Sequence, residues 1–239
     1  MDKQYTMEDL IHIVETLRSE HGCPWDRKQT HESLRQCIME EAAELTASIR
    51  IYAQTGDAEN MCEELGDILL QVVMHAQIAK EEQLFALEDV VDSVSAKMIR
   101  RHPHVFGDAA QTENAEEIPG RWEEIKRKEK EGKTWIESPL REIPKELPAL
   151  VRAPKVLKKA DKLYGSGEDY YTNVMKMEKS MGRLKEFQPE ADDVKLEEII
   201  GDILLNLSDI SRQFKISPEQ ILNDRLDDMI ERYEPMQKP

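Results

Sequence analysis

The part of this chain best suited to chemistry is a set of acidic residues in two short segments. Glu40, Glu41 and Glu44 lie in Glu-Glu-Ala-Ala-Glu, and Glu64 and Asp67 lie in Glu-Leu-Gly-Asp. Glu41 with Glu44, and Glu64 with Asp67, are spaced i and i+3, which on a helix puts each pair on one face a turn apart. At about 100° per residue, Glu41 falls between Leu34, Ile38 and Leu45, inside the apolar stripe, and Glu64 borders the stripe of Met61, Ile68 and Val72. Acidic groups turned toward a core are costly unless paired or bound to a cation. Four converging from two helices repel one another, and an oxygen-only ligand set suits a hard cation, Mg2+ or Mn2+. The other reading of the spacing is two Glu-rich helices with solvated faces. A di-iron carboxylate bundle asks for Glu-x-x-His on two helices. Position 44 is Glu and position 67 is Asp, and His75, two turns on, reads as a polar core residue.

Helices must position these groups. Thr6 opens an amphipathic stretch through Leu10, Ile13, Val14 and Leu17 that ends near Gly22, and Cys23-Pro24-Trp25-Asp26 makes a turn-like break. The pattern predicts helices over 30–54, with Gly56 as the stop, from after Asp57 to about Glu82, over 87–101 before Pro103, and over 118–130. Pro139, Pro144 and Pro148 punctuate a linker, and helices follow near 149–163, 170–187, 192–214 and 218–232, with Pro218 suited to a first turn. No segment shows a convincing strand alternation. The expected fold is therefore all-α.

Composition agrees and narrows the function classes. Aromatic residues are 5% and charged residues 34% of the chain, a balance that favours helices over sheets. A formal charge of −16 argues against direct nucleic-acid binding, which needs a basic surface. It leaves room for a phosphate ligand reached through a cation. Cys23, Cys37 and Cys62 form no CxxC pair, which fits a reduced cytoplasmic setting. Neither a signal region nor a run long enough to span a bilayer is evident, so no membrane association is expected.

An internal repeat organises the chain. Gly66-Asp67-Ile68-Leu69-Leu70 returns as Gly201-Asp202-Ile203-Leu204-Leu205, and Met98-Ile99-Arg100-Arg101 is echoed by Met229-Ile230-Glu231-Arg232. Two related helical-bundle units follow: 1–131, a linker over 132–148, and 149–239. The period is too long for a solenoid, so the expectation is a duplication.

Several segments follow one another over the first unit: Gly22-Cys23-Pro24-Trp25-Asp26, Glu40-Glu41-x-x-Glu44, Glu64-Leu65-Gly66-Asp67, Arg100-Arg101-His102-Pro103-His104-Val105-Phe106 and Trp122-Glu123-x-Ile125-Lys126. In that order, and with Leu147-Pro148-Ala149-Leu150 beyond, the chain resembles the MazG family of all-α nucleoside triphosphate pyrophosphohydrolases. The resemblance implies cleavage of an NTP or dNTP between its α- and β-phosphates, giving the monophosphate and pyrophosphate. It implies Glu41, Glu44, Glu64 and Asp67 as Mg2+ ligands, with Glu40 in the outer shell or orienting the attacking water. Arg100, Arg101 and Lys126 are then candidates for the phosphates. Trp25 either stacks on the base or packs in its turn. Carboxylate-held magnesium bridges phosphates and lowers the pKa of a bound water, and phosphoryl chemistry needs mainly such positioning.

The second unit departs from the pattern. Ile199 stands where the Glu of Glu-x-x-Asp is expected, and Met177-Glu178-x-x-Met181 replaces Glu-Glu-x-x-Glu. Only Glu178 and Asp202 survive, and Met and Ile offer no hard oxygen, so this unit is expected to be catalytically inactive and to serve packing, dimerisation or regulation. Small helical units bury little core alone, so a homodimer is expected. The remaining readings are a non-enzymatic helical regulatory protein with decayed sites, or the same chemistry on dUTP, dCTP, an oxidised nucleotide or a phosphoribosyl nucleotide.

Overall fold

A computed structural model describes residues 4–107, 122, 125, 128, 129, 138–187 and 193–234. Among the described residues every regular element is helical. The chain divides into two compact units, Met1–Glu129 and Lys130–Pro239.

The first unit holds α1 (Met7–Arg18), the single turn α2 (Pro24–Arg27), α3 (Arg35–Thr55), α4 (Glu59–Glu81), α5 (Leu87–Arg101) and the short α6 (Pro103–Phe106). Local chemistry sets most of the ends. Thr6 caps α1: its Oγ1 accepts from the Asp9 N–H at 3.2 Å, and the Asp9 carboxylate accepts from the Thr6 N–H at 3.0 Å. Gly56 ends α3 in the left-handed conformation, φ 77°, where only glycine is free of strain. The Asp89 carboxylate accepts from the Ala86 N–H at the start of α5. Helix α3 begins at Arg35, later than the expected residue 30, because side chains take over the backbone there. The Thr30 N–H donates to Ser33 Oγ at 2.9 Å, and the Ser33 N–H donates to Thr30 Oγ1 at 3.1 Å. The Pro24–Arg27 break is itself one helical turn. Of the expected 118–130 helix, Trp122, Ile125, Lys128 and Glu129 are helical and the other positions lie outside the described residues.

The core of this unit gathers Val14, Leu34, Val73, Met74 and Ile78, with Leu10, Ile11, Cys37, Leu70 and Leu87 packed around it. Fully burying one such side chain stabilises by roughly 1.5–3 kcal/mol. The core thus grips α4 along its second half and leaves the first half, which carries Glu64 and Asp67, nearer the surface.

Arg18 is the main polar fastener. Its guanidinium meets the Glu81 carboxylate through Nε at 3.0 Å and Nη2 at 2.7 Å, and its Nη1 donates to the carbonyls of Asp26 and Gln29. This side chain is only 5% exposed. It ties α2 to α1 and α4, and its hydrogen bonds to Glu81 hold that carboxyl below its usual pKa.

The second unit holds α7 (Ala149–Tyr164), α8 (Tyr170–Glu186), α9 (Asp193–Gln213) and α10 (Pro218–Tyr233). Asp169 caps α8 and Ser217 caps α10, where Pro218 takes the first turn. Its interior is unusually polar: Asn173, Ser180, Ser208 and Asp209 are buried along α8 and α9 beside Ile199. Asn173 Nδ2 donates to Asp209 at 2.8 Å, and Arg212 Nε donates to Asp209 at 2.6 Å, so this buried carboxylate is satisfied. Residues 138–148, expected as linker, pack onto the unit: Ile143 is buried and Glu142 pairs with Lys159.

Candidate functional site

Helices α3 and α4 pack against each other, and the short Gly56–Ala58 connection makes them run antiparallel. Their facing sides bring together Glu41 from α3 and Glu64 and Asp67 from α4. One carboxylate oxygen from each lies within 4.8 Å of the other two, and all three side chains are half-buried. The charge density shows in Glu41: burial, then the neighbouring Asp67, Glu44, Glu64 and Glu40, push its carboxyl above the usual range. Glu64 is held in place by Asn60, one turn before it, whose Nδ2 donates to Glu64 Oε1 at 2.8 Å.

The other two acidic candidates stand apart from this trio. Glu44 is exposed and lies outside it. Three residues along α3 turn its direction roughly 60° from that of Glu41, so its charge reaches Glu41 although its oxygens do not join the cluster. Glu40 is exposed and accepts from Gln36 Nε2 at 2.8 Å. A Cβ placed at Gly66 would meet nothing within 4 Å, so no neighbouring helix packs closely on it.

The trio fits a hard divalent cation. It is made only of carboxylate oxygens, and the mutual repulsion that raises Glu41 is the penalty a cation relieves. Magnesium suits such a set because it binds through few carboxylates and keeps waters for a phosphate ligand to displace.

One turn from the trio an open cleft of about 450 Å³ separates α2 from α3 and α4. Its border includes Trp25, Asp26, Cys37, Leu70, Gln71 and Met74. Cys37 lies one turn before Glu41, and Gln71 lies one turn after Asp67. In antiparallel helices these offsets point the same way, so cleft and trio are neighbours along one groove. Trp25 is 74% exposed, which places its ring at the rim and not in the packing of its turn. His31 and His75 stack with parallel rings, Nδ1 to Nδ1 at 2.7 Å, and burial followed by His31 lowers the His75 pKa. His75 is thus a paired polar residue away from the trio.

Arg100 and Arg101 do not face the trio as free cations. Both hold Glu129: Arg100 Nη2 lies 2.7 Å from its Oε1, and Arg101 Nη2 lies 2.5 Å from its Oε2. Hydrogen bonds from Arg101, then Arg100, bring the Glu129 carboxyl down to about 2. Arg101 also sits over the Trp122 ring, 5.8 Å from its centre. Lys126 lies outside the described residues.

Sequence reasoning passed over Arg18, Asn60 and Glu129. Asn60 had a local signal, its i to i+4 spacing from Glu64. The others act through partners distant in the chain.

In the second unit, Arg183 reaches Asp202 at 3.3 Å and Glu198 at 3.5 Å. Ile199, at the position corresponding to Glu64, is 3% exposed. Glu178 is exposed.

A family model, the MazG nucleotide pyrophosphohydrolase domain, matches residues 29–106, the segment that carries the trio and most of the cleft. The chain is 40% identical over 235 residues to a Thermotoga maritima protein named nucleoside triphosphate pyrophosphohydrolase/pyrophosphatase MazG, which takes in 97% of this chain and 85% of that one. It is 37% identical over 219 residues to the nucleoside triphosphate pyrophosphohydrolase of Escherichia coli K12, over 89% of this chain and 80% of that one. A Bacillus subtilis protein, YabN, is 40% identical over 212 residues, which take in 88% of this chain and 42% of YabN. Identity of this depth along nearly the whole chain, with the helical site within the matched segment, makes the chain a member of the MazG family.

Proposed function

We propose that the first unit hydrolyses nucleoside or deoxynucleoside triphosphates to the monophosphate and pyrophosphate, with Mg2+ held by Glu41, Glu64 and Asp67. The observation that carries this reading is the trio itself: three carboxylates on two helices with oxygens within 4.8 Å of one another, one of them with a raised pKa. A divalent cation there would bridge phosphate oxygens, neutralise developing charge and lower the pKa of a bound water. The chain's own part is to hold the trio rigid. Asn60 fixes the Glu64 carboxylate, and the buried second half of α4 fixes the helix that carries it. Glu44 and Glu40 add negative charge around the cation, and orienting the attacking water is the role we propose for Glu40. The names of the Thermotoga and Escherichia relatives support the reaction type. For Arg100 and Arg101 to reach phosphate, they must first leave Glu129.

The second unit is inactive in this reading. Arg183 supplies to Asp202 and Glu198 the positive charge that a metal would bring, and buried Ile199 removes a ligand. The two units are proposed to be related by duplication. We also infer a homodimer, because Ile49, Tyr52, Leu65, Leu69 and Val72 of α3 and α4 are left exposed. A cytosolic setting agrees with the three free cysteines. Among the described residues no helix is long and apolar enough to cross a membrane.

Calorimetric titration of Mg2+ into the purified protein, with and without a nonhydrolysable NTP, tests the reading. It predicts metal binding at millimolar concentration or below, strengthened by the nucleotide. No heat from either would favour a helical regulatory protein over an enzyme.

A further inference from the structure

Arg100 and Arg101 carry an arrangement that the reaction does not explain. In a chain of net charge −16, where carboxylates outnumber cations, these two guanidiniums share one carboxylate. Among the described residues, Glu129 is the single anion within ion-pair distance of either. Arg100 donates to its Oε1 through Nε at 2.8 Å, and Arg100 Nη2 lies 2.7 Å from the same oxygen. Arg101 donates to Oε2 through Nε at 3.1 Å and Nη2 at 2.5 Å. Two arginine forks closing on the oxygens of one anion is the geometry in which guanidinium groups hold phosphate. One positive charge of the two is left over, and a phosphate group, which carries more charge than a carboxylate, would take it up. Exposure differs within the cluster. Arg101 and Glu129 are 16% and 13% exposed, whereas Arg100 is 54% exposed, so an incoming anion meets Arg100 first.

We propose that Glu129 is an internal competitor for phosphate: it occupies the two arginine forks in the free protein and must be expelled before they can grip a polyphosphate ligand. The proposal rests on the reading that Arg100 and Arg101 take phosphate oxygens once a triphosphate lies at the trio. This latch opens by competition and not by protonation. Hydrogen bonds from the arginines hold the Glu129 carboxyl at about 2, so it stays ionised throughout the neutral range. Expulsion follows an order. A first phosphate takes exposed Arg100 and leaves Glu129 on Arg101 alone, which the Trp122 ring, 5.8 Å away, also restrains. A second phosphate, linked to the first, then takes Arg101, and the link makes that exchange intramolecular. Because Glu129 must leave for substrate and for pyrophosphate alike, it weakens the binding of both by a similar factor. The consequence is a higher KM together with weaker retention of the product pyrophosphate.

The test is calorimetric titration of methylenediphosphonate, a nonhydrolysable pyrophosphate analogue, into the full chain with Mg2+, for wild type and Glu129→Gln. The variant keeps the shape of the side chain and loses its charge, so it should bind the analogue about 10-fold more tightly. With a triphosphate substrate, KM and the inhibition constant of pyrophosphate should fall together by a similar factor. A residue that merely braced the arginines would give the opposite sign, weaker binding and a higher KM. Equal or weaker binding by Glu129→Gln overturns the proposal, as does the absence of analogue binding in both proteins. A second measurement needs no variant. In wild type the carboxyl carbon resonance of Glu129 should shift as the analogue saturates the protein, and an unmoved signal contradicts expulsion. If Glu129→Gln gains affinity for the analogue yet no triphosphate yields pyrophosphate, the latch stands and the reaction reading falls. If pyrophosphate is released and the variant gains no affinity, the reverse holds.

Discussion

Glu41→Gln should lower the rate of pyrophosphate release by about 10²–10³-fold while raising the melting temperature of the metal-free protein by a few degrees. Both effects come from one cause. Glu41 sits half-buried among four other carboxylates, and burial together with Asp67, Glu44, Glu64 and Glu40 raises its pKa. A carboxyl whose pKa is higher folded than unfolded binds its proton more tightly in the native state, so its ionisation destabilises the fold. The penalty is fully present at pH values above the raised folded pKa. It fades as pH falls through that value, and it is gone below the ordinary carboxylate pKa. Glutamine removes it, so the gain in Tm is largest near pH 7 and disappears toward pH 4. Saturating Mg2+ reverses the ranking, because a cation that binds only the native wild type stabilises it by mass action. Scanning calorimetry at both pH values, with chelator and with Mg2+, measures all three effects. A variant that melts below wild type in chelator at neutral pH would show that the trio is not repulsive.

Asp67→Asn and Asp202→Asn should separate the two units as sharply as any pair of substitutions in the chain. Gly66-Asp67-Ile68-Leu69-Leu70 and Gly201-Asp202-Ile203-Leu204-Leu205 are the same sequence, yet the two aspartates have different surroundings. Asp67 meets two glutamates, and Asp202 meets an arginine. Asp67→Asn removes a hard oxygen ligand and should cost about 10²–10³-fold in rate. Asp202→Asn breaks only a surface pair in which both side chains are substantially exposed. Such a pair is worth about 0–1 kcal/mol, so rate and Tm should stay close to wild type. Initial rates with saturating Mg2+, and melting curves of both variants, decide it. A comparable loss of rate in Asp202→Asn would make the second unit part of the catalyst.

The helices were legible in the sequence because their ends are set locally. Thr6 with Asp9, Gly56 and Pro218 act on backbone within a turn of themselves, and spacing alone locates them. The start of α3 was misplaced because Thr30 and Ser33 bond each other's backbone, a preference that apolar periodicity does not register. Glu41, Glu44, Glu64 and Asp67 could be read as one candidate group from two i, i+3 pairs in apolar stripes, whereas which of them converge, Glu41, Glu64 and Asp67 without Glu44, depends on the angle at which α3 meets α4. The pairing of Arg100 and Arg101 with Glu129 is long-range, as is the clamp from Arg18 to Glu81.

Separate quantification of nucleoside monophosphate, nucleoside diphosphate, pyrophosphate and orthophosphate, from a panel of NTPs and dNTPs with Mg2+, tests the central claim most directly. Monophosphate and pyrophosphate should appear in equal amounts, only with metal, and should be lost together in Glu41→Gln. Diphosphate with orthophosphate, or release that survives chelation, would contradict α–β cleavage at a carboxylate-held cation.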